Sequence, residues 1–180
     1  MKTLALLALL FGCKDPYADD STADDSDTTT DDSATDDSAT DDTSQPEEQD
    51  ITGGWLSEGD NISELFRLPI FDYVSIVANF GTDGSYDVVA TNGDGVATTL
   101  TGTYVVDITP VIPTIVLSQV TPSEATAEGI WQIQGGELHD EVVQTVPDYG
   151  FSPPTPEAGF GSTSGTGLTP GMNVQIYVKN

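Results

Sequence analysis

Residues 72–95 read DYVSIVANFGTDGSYDVVATNGDG and hold two apolar runs, each of which ends at a turn signal. From Val74 to Phe80 every second residue is apolar, which is the two-residue period of a β-strand with one buried face. The dipeptide Asp83-Gly84 that follows is typical of tight hairpin turns, because its residues tolerate the positive φ that such turns require. The stretch therefore predicts an antiparallel hairpin, with a further turn at 92–95.

The same alternation continues to the C-terminus. Five further stretches show it, beginning at residues 96, 114, 129, 137 and 172: VATTLTGTYVVDI, TIVLSQV, GIWQIQ, ELHDEVVQTV and MNVQIYVKN. With an opening strand at Trp55, residues 51–180 are predicted to form an all-β domain, an antiparallel up-and-down β-barrel of about eight strands. A two-sheet β-sandwich is the alternative that periodicity leaves open.

One short helix is expected between the first two strands. Asp60 is a good N-cap residue for a helix over Asn61–Leu68. Glu64 falls in the first turns of that helix, where a negative charge is favourable. The segment is too short to change the all-β assignment.

Four short motifs give the β domain a family resemblance. They are GGW at 53–55, FGTDGSY at 80–86, GTY at 102–104 and IWQIQGGEL at 130–138. Their order is similar to that of bacterial lipocalin-like domains, over most of residues 52–146. In lipocalins the opening Trp packs at the closed end of the barrel, covered by an Arg from the final strand. The resemblance implies this place for Trp55, with Lys179 as the cation that stands in for the Arg.

The first thirteen residues, MKTLALLALLFGC, have the layout of a secretory signal. Lys2 supplies a positive start, Leu4–Phe11 forms an apolar run, and Gly12 places a small residue before Cys13. The run is too short to span a bilayer. The stretch LFGC resembles the lipobox of bacterial lipoproteins, in which a small residue precedes a lipidated cysteine.

This resemblance implies that residues 1–12 are a cleaved lipoprotein signal peptide and that Cys13 is the lipidation site. Several fatty acyl chains, palmitate among them, would then anchor the chain stably to a membrane of the cell envelope. Lipoproteins with Asp directly after the cysteine are retained in the inner membrane; Lys14 occupies that position here, which favours the outer membrane. An ordinary cleaved signal with a chance cysteine is the alternative.

Residues 13–50 differ from the rest of the chain in composition. From Asp15 to Asp50 there are 15 acidic residues and no Lys, Arg or His, and the pentad DDSAT begins at Asp31 and again at Asp36. A period of five places no apolar face on a helix or a strand, so we expect a disordered linker. Its carboxylates would bind divalent cations only weakly and without specificity, because no fixed loop brings their oxygens together. Its many Ser and Thr residues also allow O-linked glycosylation.

The β domain is strongly acidic. Residues 51–180 contain 15 acids against Arg67 and Lys179, a formal charge of −13. Nucleic acids are bound chiefly through Lys and Arg, so this composition excludes nucleic-acid partners. Beyond Cys13 the chain has no cysteine, so it contains no internal disulfide and no further thiol.

The residues that carry catalytic chemistry are sparse in this domain. His139 is the only histidine, and it precedes Asp140 and Glu141 in a predicted strand. Alternation places His139 and Glu141 on one face and Asp140 on the other. A catalytic zinc commonly uses two or more histidines, and no nucleophile motif accompanies His139. We therefore assign no catalytic, metal or cofactor residues and expect that the protein is not an enzyme.

Aromatic side chains are the remaining candidates for a binding role. Trp55, Trp131, Tyr86 and Tyr104 fall on predicted strands and form part of a packed core or line a ligand cavity. The sequence thus favours a lipid-anchored, envelope-exposed barrel module that binds a small apolar ligand or an envelope partner. The alternative is a structural or interaction lipoprotein with a filled barrel, in which the acidic linker and surface charge are the main contribution.

Overall fold

The computed structural model describes residues 48–180. Cys13, the predicted signal peptide 1–12 and most of the predicted linker 13–50 lie outside the described residues. The described part contains eight β-strands: β1 Gly53–Glu58, β2 Tyr73–Phe80, β3 Ser85–Asn92, β4 Ala97–Asp107, β5 Thr114–Thr121, β6 Ala125–Gln134, β7 Glu137–Val146 and β8 Gln175–Lys179.

The eight strands form one closed antiparallel barrel. Each strand pairs with its neighbours in the chain, and β8 pairs with β1 to close the sheet. The up-and-down barrel predicted from the sequence is therefore confirmed, and the β-sandwich alternative is wrong. Closure leaves every strand paired on both sides, so that no sheet edge is exposed.

Alternation along each strand separates an inner from an outer face. The core cluster takes Ile76, Ala78 and Phe80 from β2 and faces Tyr86 of β3, as the first hairpin predicts. Val74 was expected on the same face, but it is 49% exposed. A register shift between residues 73 and 75 displaces it, so that Tyr73 turns inward in its place.

Two inward glycines allow the strands to approach closely. A Cβ on Gly102 would overlap the carbonyl oxygen of Ser118 on β5, and a Cβ on Gly129 would overlap that of Glu141 on β7. Gly102 also adjoins a register shift between β4 and β5. Such sites let a sheet bend strongly enough to close.

The predicted helix over Asn61–Leu68 is wrong. The chain makes a single 3-10 turn at Gly59–Asn61 and then a series of tight turns to residue 71. Both groups of the helix's Leu65–Asn61 bond are engaged elsewhere: Leu65 N–H donates to the Met172 carbonyl, and the Asn61 carbonyl accepts from the Gln175 side chain. Asp60 does not act as a cap of such a helix but forms an exposed ion pair with Arg67.

The connection between β7 and β8, residues 147–174, packs against the outside of the barrel. Glu141 and Ile130 pair across β6 and β7 on the outer face, yet both are fully buried. The Glu141 carboxylate accepts hydrogen bonds from Gly161 N–H at 2.5 Å and Thr163 N–H at 2.9 Å. The long connection thus gives β6 and β7 a second buried face. Within residues 48–180 no helix is both long and apolar enough to cross a membrane.

Candidate functional site: the barrel interior

One end of the barrel, where β1 begins, is closed by Trp55. Its side chain is 3% exposed, and its indole N–H donates to the Ile51 carbonyl at 2.7 Å. Lys179 pairs with Trp55 across β8 and β1 and places its Nζ 4.1 Å from the centroid of the indole ring. The same ammonium donates to the Thr52 carbonyl at 2.6 Å. The cation of the last strand therefore covers Trp55 at this end of the barrel.

The opposite end, here called the mouth, is covered by residues 59–72. Ile62 belongs to the buried core, and Phe66 packs edge-on to Phe71 with ring centroids 5.7 Å apart. Gln175 holds this segment in place. Its side-chain amide donates to Ser57 and to the Asn61 carbonyl, and its oxygen accepts from a backbone N–H of the segment. The mouth segment is therefore fastened at one side by a buried amide with its hydrogen bonds formed.

Side-chain size is uneven around the interior wall. On β6 three successive inward positions are Ala125, Ala127 and Gly129, and none of them projects beyond a methyl group. Nearby inward side chains pack against the core but stay only partly buried; among them are Leu100, Leu117 and Val142. These half-buried side chains and the small residues of β6 mark the side on which the described inner wall is least filled.

Trp131 and Asp140 pair across β6 and β7 and lie next to these positions, on the side toward the closed end of the barrel. Trp131 is fully buried, and its indole N–H donates to the Thr114 carbonyl at 3.2 Å. Asp140 shares the inner face with Leu138 and stays partly exposed. Because its side chain points inward, that exposed surface lies inside the barrel. A carboxyl group therefore lies on the inner face between the apolar residues Leu138 and Val142.

The environment of Asp140 is unfavourable for a charge. Burial raises the pKa of its carboxyl to about 7, and the nearby charge of Glu141 contributes in the same direction. Within residues 48–180 no hydrogen bond reaches this carboxyl. Sequence reasoning missed this residue, although the signal was present: Asp140 stands between Leu138 and Val142 in the apolar register of its strand.

Two tyrosine hydroxyls share the interior with Asp140. Tyr177 lies on β8, and burial together with the charge of Asp140 raises its pKa well above the ordinary value. Burial alone raises the pKa of Tyr86 to about 12. Tyr104, by contrast, donates a hydrogen bond from its hydroxyl to the Gly81 carbonyl at 2.9 Å. All four aromatics considered in the sequence thus contribute to the core or its edge, and Tyr177 adds a fifth.

His139 and Glu141 share the outer face of β7, as alternation predicts. The imidazole lies against Phe160 of the 147–174 connection, with ring centroids 6.2 Å apart, and 3.8 Å from the Glu137 carboxylate. The Glu141 carboxylate accepts hydrogen bonds from two backbone N–H groups of the same connection. Within residues 48–180 no three His, Cys, Asp or Glu side chains are placed to hold a metal ion.

The Asp-Gly and Asn-Gly-Asp-Gly stretches form turns, as expected. Gly84 and Gly95 both adopt positive φ, at 81° and 76°. A shallow cleft of about 240 Å³ lies on the outside, between residues 60–67 and 170–176. It is smaller than usual ligand pockets and open to solvent, so the barrel interior is the stronger candidate.

Comparisons of the chain with protein-family models, with curated proteins and with solved structures found no match. Function is therefore inferred from the barrel and its interior. Cys13, the lipidation site expected from the sequence, lies outside the described residues.

Proposed function

We propose that this protein is a lipid-anchored module of the cell envelope that binds a small apolar ligand inside its barrel. The anchor is Cys13, and the outer membrane is the favoured location. The module performs no catalysis and needs no cofactor. Its residues 13–50 act as a spacer that holds the barrel away from the membrane.

The observation that carries the ligand proposal is the uneven interior wall. Small side chains on β6 face inward beside half-buried apolar ones on the neighbouring strands, so this part of the inner wall is the least filled. Apolar walls with a few polar groups are the common composition of small-molecule sites. The contact between Lys179 and Trp55 supports the comparison with lipocalin-like domains, whose barrels are closed at the same end.

Filling the space tests the ligand proposal. Ala127→Phe places a ring inside the barrel, and the fluorescent apolar probe N-phenyl-1-naphthylamine is titrated into the variant and the parent protein. We expect the parent to bind the probe and the variant to bind at least tenfold more weakly. Ser118→Phe is the matched control, because Ser118 is exposed on the outer face of the adjacent strand.

Circular dichroism spectra and melting temperatures verify that both variants stay folded. Equal binding by parent and Ala127→Phe, or no binding by the parent, would overturn interior ligand binding. The anchor is tested separately with Cys13→Ser, which should abolish fatty-acid labelling and leave an unprocessed precursor. Unchanged labelling would end the anchor proposal.

A contact with an envelope partner is the second candidate function. Val105 and Val116 face each other across β4 and β5 on the outer face, 71% and 39% exposed. The loop between these strands adds Ile108 and Val111, both well exposed. Contiguous apolar surface of this kind marks interaction sites. A photo-crosslinking residue at position 105 should capture an envelope protein, whereas one at position 87, on the outer face of β3, should not.

A further inference from the structure

Outward side chains of β4 and β5 form a flat surface without charge, here called the valine face. Val105 pairs with Val116 across the two strands, and Val120 follows on β5; these valines are 71%, 39% and 65% exposed. The valine face consists of six exposed outward residues: Thr99, Thr103, Val105, Val116, Ser118 and Val120. None of these side chains is larger than valine, so the face can pack closely against another flat surface.

Negative charge flanks the valine face but does not enter it. Residues 51–180 carry a formal charge of −13. The strands on either side present Asp87 on β3 and Glu128 on β6 to the outside. A partner with a basic surface would be attracted to these acids rather than to the valine face. The face itself therefore suits a partner surface that is also uncharged.

A lipid surface fits the valine face poorly. Proteins contact lipid head groups chiefly through Lys and Arg, and Trp and Tyr are the residues enriched at the membrane interface. None of the six residues of the face is of these kinds. Anionic lipids would also repel Asp87 and Glu128 beside it. The valine face is therefore better suited to contact with a protein.

A second copy of the chain supplies a surface of the required kind. In a twofold arrangement one face serves both partners, so the valines of each copy meet neutral side chains of the other. Asp87 and Glu128 then lie at the rim, where salt screens their repulsion. Six residues a side are few against the roughly 20–30 of a standard interface, so we expect weak association in solution. Anchoring two copies in one membrane raises their effective concentration and strengthens it.

We propose that the valine face is a homodimer contact, in which a second copy of this chain is the envelope partner of the second candidate function. The inference rests on that proposed function and names its partner. The proposed anchor at Cys13 holds the copies in one plane, and the proposed spacer lets two barrels turn toward each other. Because like charges flank the contact, added salt strengthens the dimer, whereas it would weaken an interface held by ion pairs.

Cysteine cross-linking tests the contact. Val105→Cys adds a thiol to the valine face of the purified full-length protein, which is treated with a short bismaleimide in detergent solution at rising protein concentration. Val178→Cys is the matched control, because Val178 is an exposed outward valine on β8. The parent protein shows any background from Cys13. We expect at least tenfold more cross-linked dimer from Val105→Cys than from the control, and a further increase when salt is added.

A charge placed in the contact tests its neutrality. Val116→Asp, added to Val105→Cys, should reduce the cross-linked dimer at least tenfold, whereas Val116→Thr keeps the face neutral and should retain it. Circular dichroism spectra verify that both variants stay folded. Equal cross-linking at positions 105 and 178, dimer that survives Val116→Asp, or dimer that weakens as salt is added would overturn the homodimer contact.

Cross-linking in intact cells separates this inference from the function on which it rests. Capture of a second copy at position 105 is the expected result. Capture of a different envelope protein with no second copy would overturn the homodimer contact while the second candidate function stands. Capture of no protein at position 105 would overturn both.

Discussion

The ammonium of Lys179 lies over the ring of Trp55, 4.1 Å from its centroid, on the adjacent strand of the closed barrel. The contact joins the last strand to the first at the point where the sheet closes. A cation over an indole ring is attracted by the negative face of the π system. The pair therefore stabilises the seam of the barrel, and two substitutions test it.

Lys179→Met should lower the free energy of unfolding by about 1 kcal/mol, because it removes the cation–π contact and the bond to the Thr52 carbonyl while keeping the apolar stem. Urea denaturation measures the loss. Lys179→Arg should retain most of the stability, since guanidinium groups also stack on indole rings. Equal losses in the two variants would mean that the charge over the ring contributes nothing.

Trp55→Ala should lower the free energy of unfolding by about 3–5 kcal/mol, since it empties a buried aromatic site at the closed end. Urea denaturation followed by circular dichroism measures the change. The double variant with Lys179→Met should lose less than the sum of the single changes, because both act on one contact. A loss below about 1 kcal/mol for Trp55→Ala alone would contradict the packing described here.

Glu141→Ala should detach the 147–174 connection from the outer face. The substitution leaves the N–H groups of Gly161 and Thr163 without their acceptor, at a cost of about 2–4 kcal/mol. Limited proteolysis within residues 151–165 should become faster than in the parent protein. Glu137→Gln, a change at a half-exposed side chain on the same strand and face, should shift stability by less than about 0.5 kcal/mol and leave proteolysis unchanged.

Asp140 should make stability depend on pH. Its pKa is about 7 in the folded protein, raised by burial, against an ordinary value of 3.8. Between these values the folded state binds more protons than the unfolded state, so the free energy of unfolding falls as pH rises. At pH 8 the Asp140→Asn variant should be more stable than the parent protein by on the order of 2 kcal/mol. This figure is smaller than the full pKa shift implies, because the carboxyl keeps some contact with solvent.

At pH 4 the parent and Asp140→Asn should differ little, because the carboxyl is then largely protonated in the folded state. Urea denaturation of both proteins at several pH values measures the difference between them, which cancels most effects of the other acids. The titratable groups that interact electrostatically with Asp140 are Glu141 on the same strand and Tyr177 on β8, and both remain in the two proteins. A difference that stays constant from pH 4 to pH 8 would contradict the raised pKa.

Local signals in the sequence were sufficient for the strands and their order. The two-residue period from Val74 to Phe80 and the turn at Asp83-Gly84 depend only on neighbouring residues, and both are found in the structure. Short turns between consecutive strands favour pairing of neighbours along the chain, so the up-and-down topology follows from the same signals. Closure into a barrel, rather than two sheets, required the pairing of β8 with β1.

The tertiary structure decided the features that depend on distant partners. The helix expected over Asn61–Leu68 does not form, because Met172 takes the Leu65 N–H and Gln175 takes the Asn61 carbonyl, which a helix would join to each other. Alternation correctly separated Asp140 from Glu141, but both faces of β7 carry apolar residues, so the period did not say which face is the interior. That depended on the 147–174 connection, which buries the outer face beside Glu141 and leaves Asp140 inside the barrel.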